Sequence, residues 1–215
     1  GQAGCNSILD ILNGTVTPSG KLSETYPMSY NDVMNSDNYP SKGINALYKE
    51  SIYVGYRYYE KNAVKVRYPF GFGLSYTTFE YSDILLTEDG IKVTVKNTGN
   101  YSGKEIVELY IGKKDSKIFR PIKELKGFAK TKLLKPGESE TLFISFDEYS
   151  FRYFNVKTNR FEIEAGSYEI YLGSSSDDIR YTGSVTKEGT TDVLPYDAEK
   201  LPDYFTGKVK DIKDE

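Results

Sequence analysis

The sequence predicts a mixed fold: an incomplete α/β layer segment followed by an all-β, two-sheet sandwich. Three observations carry that expectation. The run Tyr68-Pro69-Phe70-Gly71-Phe72-Gly73-Leu74-Ser75-Tyr76 separates two stretches of different grammar. The stretch before it is loop-rich and mixed in period. The stretch after it alternates apolar and polar residues in short runs divided by turn residues.

Gly4 to Leu12 reads as a short helix, because Cys5, Ile8, Leu9 and Leu12 recur at spacings of three and four and share one side. Asn13-Gly14 stops it with residues that tolerate a left-handed backbone. Thr17-Pro18-Ser19-Gly20 makes a tight turn, and Lys21-Leu22-Ser23 is expected as a brief strand. Tyr26 to Pro40 is polar and irregular. Tyr53 to Tyr59 fits a buried helical turn or a strand, and its dense aromatics place it at a protected interface. Ordering each residue costs about 1–2 kcal/mol of backbone entropy, whereas burial returns only about 25 cal/mol per Å² of apolar surface. A loop-rich segment of this size therefore requires a larger partner surface, one outside this sequence.

From Tyr81 the period becomes two. Ile91 to Lys96 alternates and ends in the turn Asn97-Thr98-Gly99-Asn100, Glu105 to Ile111 forms the next strand, and Ile122 to Phe128 a third, closed by Gly127. Lys135-Pro136-Gly137-Glu138 turns the chain into Glu140 to Phe146, where Leu142, Ile144 and Phe146 share a face. Phe151 to Val156 and Arg160 to Ile163 flank Asn159, and Ser167 to Gly173 points Tyr168, Ile170 and Leu172 inward. About seven short strands in about 100 residues indicate an antiparallel sandwich, with a closed barrel of the same strands as the alternative. Beyond Arg180 the pattern decays, and residues 183–215 read as an extended arm held at Tyr196, Tyr204 and Phe205. Lys208 to Glu215 fits either a helix or a tail.

Composition removes several chemistries. With a single Cys and no His, the chain by itself offers no internal disulfide, no Ser-His-Asp or Cys-His nucleophile system, and no His for a zinc site. Lysine and arginine number 28 against 31 acidic residues, so no broad positive field favours nucleic acid. Lys123, Lys126, Lys130, Lys132 and Lys135 cluster but are interrupted by Glu124 and Glu138, which suggests a solvated face. No stretch approaches the roughly 18 apolar residues of a membrane span. No cofactor is expected. Twenty Tyr and 11 Phe without any Trp suit sheet surfaces, interfaces and sugar-contacting walls, with structural packing the plainer role. The first residue is Gly, which predicts a fragment or processed piece. No targeting segment is visible in it, so cytoplasmic and secreted bacterial locations both stay open.

Paired carboxylates are the remaining hydrolytic scheme, and a configuration-retaining glycosidase needs two of them about 5–5.5 Å apart. Asp10, Glu24, Asp32, Asp37, Glu50 and Glu60 are the candidates, each more simply a solvated or salt-bridged group. Gly71-Phe72-Gly73 lacks the lysine of a P-loop and the third glycine of a dinucleotide fingerprint, and reads as a close-packed turn. Ser174-Ser175-Ser176-Asp177-Asp178 supplies too few fixed oxygens for calcium, and reads as a loop at the end of the sandwich.

Several runs carry a resemblance. Gly14 to Leu22, ending in Pro18-Ser19-Gly20-Lys21-Leu22, Tyr48 to Tyr59 and Tyr68 to Thr78 resemble, in order and spacing, segments of glycoside hydrolase family 3. Val95-Lys96-Asn97-Thr98-Gly99, Gly103-Lys104-Glu105, Arg120 to Phe128 and Leu134 to Glu138 resemble that family's fibronectin type III-like domain. Ser51 and Ser23 depart from the usual glycine and proline. The resemblance implies three regions: the closing part of the family's α/β sandwich domain over 1–76, an immunoglobulin/fibronectin III-like sandwich over 77–182, and a linker or arm over 183–215. It implies a retaining exo-acting beta-glucosidase acting on beta-glucosides or cello-oligosaccharides, with a beta-xylosidase as the neighbouring alternative. The family's Asp nucleophile and Glu acid/base match no position here, so no catalytic residue is expected in this chain. Its partner would be the remainder of the enzyme, the barrel domain and the start of the α/β domain, on the same or a second polypeptide. Leu194-Pro195-Tyr196-Asp197 and Leu201 to Phe205 resemble the linker of members in which the barrel follows the sandwich. The chain's expected role is bracing, with side chains between Tyr48 and Arg67 reaching the cleft rim. A carbohydrate-binding or protein-docking module is the alternative from a different class.

Overall fold

The computed structural model describes residues 4–40, 43–44 and 48–202. The elements run α1 (Gly4–Leu12), β1 (Tyr26–Pro27), α2 (Tyr56–Lys61), β2 (Val66–Tyr68), β3 (Phe79–Leu86), β4 (Gly90–Asn97), β5 (Ile106–Gly112), β6 (Glu124–Lys130), β7 (Ser139–Ser145), β8 (Arg152–Asn155), β9 (Arg160–Ile163), β10 (Gly166–Gly173) and β11 (Ile179–Lys187), with short 3-10 turns between some of them. Among the described residues no helix is long and apolar enough to cross a membrane.

Two open antiparallel sheets form the sandwich, one in the order β11-β10-β5-β6 and the other β3-β4-β7, and β8–β9 makes a separate hairpin. Because the sheets do not join into one closed sheet, the barrel alternative falls. Alternation sets the core. Ile91, Val93 and Val95 of β4 and Leu142 and Ile144 of β7 meet Val107, Leu109 and Ile111 of β5 and Tyr168, Ile170 and Leu172 of β10. The inward set expected for β10 is buried as read. Tyr168 turns its hydroxyl back to donate to the Glu164 carbonyl at 2.8 Å, the kind of tyrosine corner that locks one end of such sandwiches.

Asn97, fully buried at the end of β4, is more than a turn residue. Its Oδ1 accepts from Thr77 Oγ1 at 2.6 Å and from the Gly99 amide at 3.1 Å, and its Nδ2 donates to the carbonyls of Tyr101 and Leu134, both at 2.8 Å. Every hydrogen-bonding position of the amide is filled, so burial carries no desolvation penalty left uncompensated.

Three expectations are corrected. Lys21-Leu22-Ser23 is not a strand; the chain pairs later, at β1 with β2, because Leu22 instead exchanges backbone hydrogen bonds with the Phe72 carbonyl and the Gly71 amide. Gly127 does not close a strand but lies inside β6, where a Cβ would meet Ile144 Cγ2 at 2.7 Å. Its missing side chain admits the opposing sheet. The pattern does not stop at Arg180: β11, nine residues from Ile179 to Lys187, pairs residue by residue with β10 from Tyr181 to Lys187, with one irregularity at Leu172/Gly173. It was illegible because its apolar residues are sparse: as an edge strand it pairs through backbone and buries little. Tyr196 stacks on Phe119 with centroids 4.9 Å apart, and its hydroxyl accepts from the Phe119 amide at 2.7 Å. Tyr204, Phe205 and Lys208 to Glu215 lie outside the described residues.

Replacing Asn97 by Ala removes four hydrogen bonds, of whose partners, among the described residues, only the Leu134 carbonyl keeps a second donor, the Gly103 amide, and is expected to lower the unfolding free energy by roughly 2–4 kcal/mol in urea titration, whereas Lys92→Ala on the exposed side of β4 stays within about 0.5 kcal/mol.

Candidate functional cleft

The first segment is built around tyrosine. Tyr53 is fully buried, and with Met34, Tyr58 and Tyr59 it forms a small core to which Val64, Val66 and Phe119 add. The stretch that read as helix or strand resolves into α2, six residues entered through Gly55 at φ +63 and burying Tyr56, Tyr58 and Tyr59. No side chain caps its start.

A cleft of about 570 Å³ opens beside α2, bounded by Ser23 to Thr25, Val33, Met34, Glu50, Val54 to Tyr59, Phe70 and Leu125. A hollow of about 290 Å³ shares Val33, Met34 and Glu50 with it and is walled by Tyr30, Tyr39 and Tyr48, all three exposed. On the other side of α2, a third hollow of about 410 Å³ is lined by Tyr56, Tyr59, Glu60, Lys65 and Asp177 among others. The cleft volume falls in the range of small-molecule sites, about 300–1,000 Å³; Tyr56, Tyr58 and Tyr59 are buried within its wall beside the half-buried Arg57, and the ring faces open for stacking on a polyhydroxyl ring are those of Tyr30, Tyr39 and Tyr48 in the adjoining hollow.

The wall is fastened to the sandwich through a polar and aromatic seam. Lys123 Nζ contacts Glu60 Oε2 at 2.7 Å and Arg57 Nη2 contacts Glu124 Oε1 at 3.2 Å, while the Leu125 amide donates to the Tyr56 hydroxyl at 2.8 Å. The Tyr56 ring packs on Phe70 at 4.9 Å and edge-on to Tyr110 at 5.9 Å. Tyr110 donates to Glu108 at 2.5 Å. Glu108 lies against Gly71, whose φ of +80 and lack of a Cβ both matter: a Cβ there would sit 2.3 Å from Glu108 Oε2. Lys21 Nζ bridges Glu105 at 3.0 Å and the Ser174 carbonyl at 2.9 Å, and the Ser176 amide donates to Phe70 at 2.9 Å.

Desolvation governs the titration of this seam. Burial holds the Glu60 carboxyl above the usual carboxylate range; Lys123 and Ser176 pull against that and Asp177 adds to it. Burial raises Glu108 likewise, opposed by the Tyr110 hydrogen bond and Lys21 and reinforced by Glu105. The same burial, together with Glu108, pushes the Tyr110 phenol far above its ordinary value.

The candidate carboxylates scatter. Asp10 is exposed on α1, and Asp37 is exposed too. Asp32 accepts from the Ser29 amide at 2.9 Å and from its hydroxyl at 3.0 Å, closing a local turn. Glu24 and Glu50 both line the cleft, Glu24 exposed and Glu50 half-buried. Glu60 belongs to the seam. The two carboxyls that burial raises, Glu60 and Glu108, are thus engaged by Lys123 and Tyr110. A general acid instead needs its proton free for a leaving group.

Gly71-Phe72-Gly73 is a close-packed turn, its first amide bonded to Leu22. Ser174 to Asp178 is the loop between β10 and β11, with Asp178 held by Arg180 at 2.9 Å and Ser174 to Ser176 buried against the first segment. Among the described residues no three metal-binding side chains gather. The solvated lysine face is corrected in part: Lys123 is buried and paired, and Lys126 lies 3.4 Å from Glu124. Tyr53 to Tyr59 and Arg120 to Phe128 each stand out as a motif, but their mutual contact joins residues nearly 70 positions apart, as in Tyr56 and Leu125 with a separation of 69, and no local pattern announces it.

Two family profiles match the chain: the Glycosyl hydrolase family 3 C-terminal domain over residues 1–76 and the Fibronectin type III-like domain over residues 105–176. The thermostable beta-glucosidase B of Acetivibrio thermocellus is 41% identical over 201 residues, covering 90% of this chain and 26% of that protein. The exo-alpha-(1->6)-L-arabinopyranosidase of Bifidobacterium breve is 39% identical over 200 residues, covering 91% and 26%. The crystal structure of the GH3 beta-glucosidase of Bifidobacterium adolescentis superposes with a TM-score of 0.83 at 40% identity, over 92% of this chain and 30% of that one. The chain spans about a quarter of the length of the curated relatives it matches.

The raised Glu108 carboxyl has a thermodynamic consequence. Folding favours its protonated form, so the stability it contributes is present below the unfolded value of about 4.3 and is lost as pH rises through the higher folded value. Glu108→Gln is expected to flatten that component: between pH 4.5 and 7.0 the variant's unfolding free energy should fall less than the parent's. Parallel curves in urea titrations at the two pH values would refute it.

Proposed function

This chain belongs to glycoside hydrolase family 3, and from that membership we propose that it is the non-catalytic portion of a retaining, exo-acting beta-glucosidase that releases terminal beta-D-glucosyl residues. Supporting this reading, the chain matches the family's two C-terminal regions in order, while its burial-tuned carboxyls are engaged in the seam rather than presented to a substrate. The nucleophile and the acid/base belong to the remainder of the enzyme. This chain supplies part of the cleft wall and the frame that holds it.

An uncovered surface supports the same reading. In α1, Ile8, Leu9 and Leu12 are 58%, 52% and 72% exposed, and no residue of the helix is buried. Three large apolar side chains on one side of a helix are what a layer lacking its neighbour presents. The remainder of the α/β domain is the cover we propose.

Sugar preference is a property of the complete cleft. Relatives of nearly equal similarity to this chain are a beta-glucosidase and an arabinopyranosidase, which fits a wall that supports either ring. As for a carbohydrate-binding module, the exposed aromatics of the β8–β9 hairpin, Phe154 and Phe161, meet edge to face, with an interplanar angle of 73° and centroids 5.4 Å apart, so the pair offers no flat stacking surface.

The purified chain is expected to leave an aryl beta-glucoside intact, and the complete enzyme carrying it to hydrolyse that substrate with retention, followed by NMR of the released anomer; turnover by the chain alone overturns the assignment. The double substitution Leu9→Ser and Leu12→Ser is expected to change this chain's own unfolding free energy by no more than about 0.5 kcal/mol, yet to lower the thermal midpoint of the complete enzyme by several degrees, on the order of 4 °C. An unchanged midpoint would mean that α1 has no such cover.

A further inference from the structure

Three neighbouring residues at the start of β6 each grip one residue of α2: Lys123 holds Glu60, Glu124 holds Arg57, and the Leu125 amide holds the Tyr56 hydroxyl. We propose that Lys123 and Glu124 are positioning residues for the cleft, fixing through α2 the orientation of the Arg57 guanidinium and the tyrosine wall toward a sugar ring. This deepens the proposed function and rests on its reading of the cleft as a glycoside site.

The physical case begins with the helix. Six residues are far too few to be stable alone, since isolated helices shorter than about 12–15 residues are marginal in water. With neither a side-chain cap nor an acidic residue in its first turn, α2 takes its orientation from tertiary contacts. Its tyrosines supply burial, which is non-directional. The three contacts to β6 supply direction, because two charge pairs and a hydrogen bond spaced along one helix fix both its rotation and its slide.

The grip reaches the cleft itself. Leu125 lines the cleft beside Tyr56 and Arg57, so the sandwich contributes to its wall as well as supporting it. Arg57 presents one guanidinium nitrogen to Glu124, while its buried Nε makes no hydrogen bond. Glu124 is shared with Lys126 at 3.4 Å, and Lys123 also lies 5.7 Å from the Tyr110 ring centroid. Glu60 faces Ser176 and Asp177 from the β10–β11 loop as well as Lys123. The clasp therefore couples α2 to two strands and one end loop of the sandwich.

The test uses the complete enzyme carrying this chain, with Lys123→Met and Glu124→Gln combined. KM for an aryl beta-glucoside is expected to rise about tenfold with kcat within about threefold, and Lys123→Arg to keep most of the parent's KM. Lys114→Met, which removes the exposed pair with Glu169 on β10, serves as the control and leaves both constants unchanged. Amide hydrogen exchange gives a readout that needs no turnover. The hydrogen-bonded amides of Tyr58, Asn62, Ala63 and Val64 are expected to exchange about tenfold faster in the double variant, with those of β4 and β5 unchanged. Unchanged exchange at α2, or equal acceleration in every strand, overturns the clasp. Faster exchange at α2 with an unchanged KM overturns its link to the cleft. A parent enzyme inert toward beta-glucosides defeats the functional reading instead, and exchange still decides the clasp.

Discussion

The hydrogen bond from the Leu125 amide to the Tyr56 hydroxyl, with the Lys123–Glu60 and Glu124–Arg57 pairs on either side, makes one body of two unequal parts. The sandwich has its own core, drawn from both sheets and closed by Asn97 and Tyr168 at its corners. The first segment has only a small tyrosine-rich cluster and much loop. Against an entropy cost of about 1–2 kcal/mol per ordered residue, that cluster is insufficient without the sandwich. The seam is where the segment acquires a definite place.

The seam is polar where an apolar one would be simpler. Buried ion pairs add little net stability, because desolvation offsets their attraction, yet breaking one leaves an uncompensated charge. Such contacts therefore penalise wrong alignments more than they reward the right one. Around Glu108 the same logic operates at close range: the Tyr110 hydroxyl, Lys21 and the bare backbone of Gly71 leave room for one arrangement. The wall of the cleft beside α2 thus rests on a support that tolerates a single register.

The division of roles follows from where the carboxyls lie. Those perturbed by burial are placed between the two parts, where they join them. Those on the cleft, Glu24 and Glu50, remain in contact with solvent. Ile8, Leu9 and Leu12 on α1 are exposed as well.

Much was legible in the sequence because the signals are local. Period two in Ile91 to Lys96 and Ser167 to Gly173, period three to four in Gly4 to Leu12, and the turn residues between them specify elements through side-chain direction alone, and the order of motifs specifies the family. Sparse signals were misread: β11 pairs through its backbone and carries few apolar residues, and Gly127 looked like a stop because a missing side chain says nothing about the Ile144 methyl that fills the space. What only the tertiary structure decided is which motif touches which. Tyr56 and Leu125, Arg57 and Glu124, Glu60 and Lys123 each stand far apart in the chain, and a polar residue at any of those positions reads equally well as solvated. Their pairing depends on the stacking of α2 against the end of a sheet, a through-space relation that residue pattern does not encode.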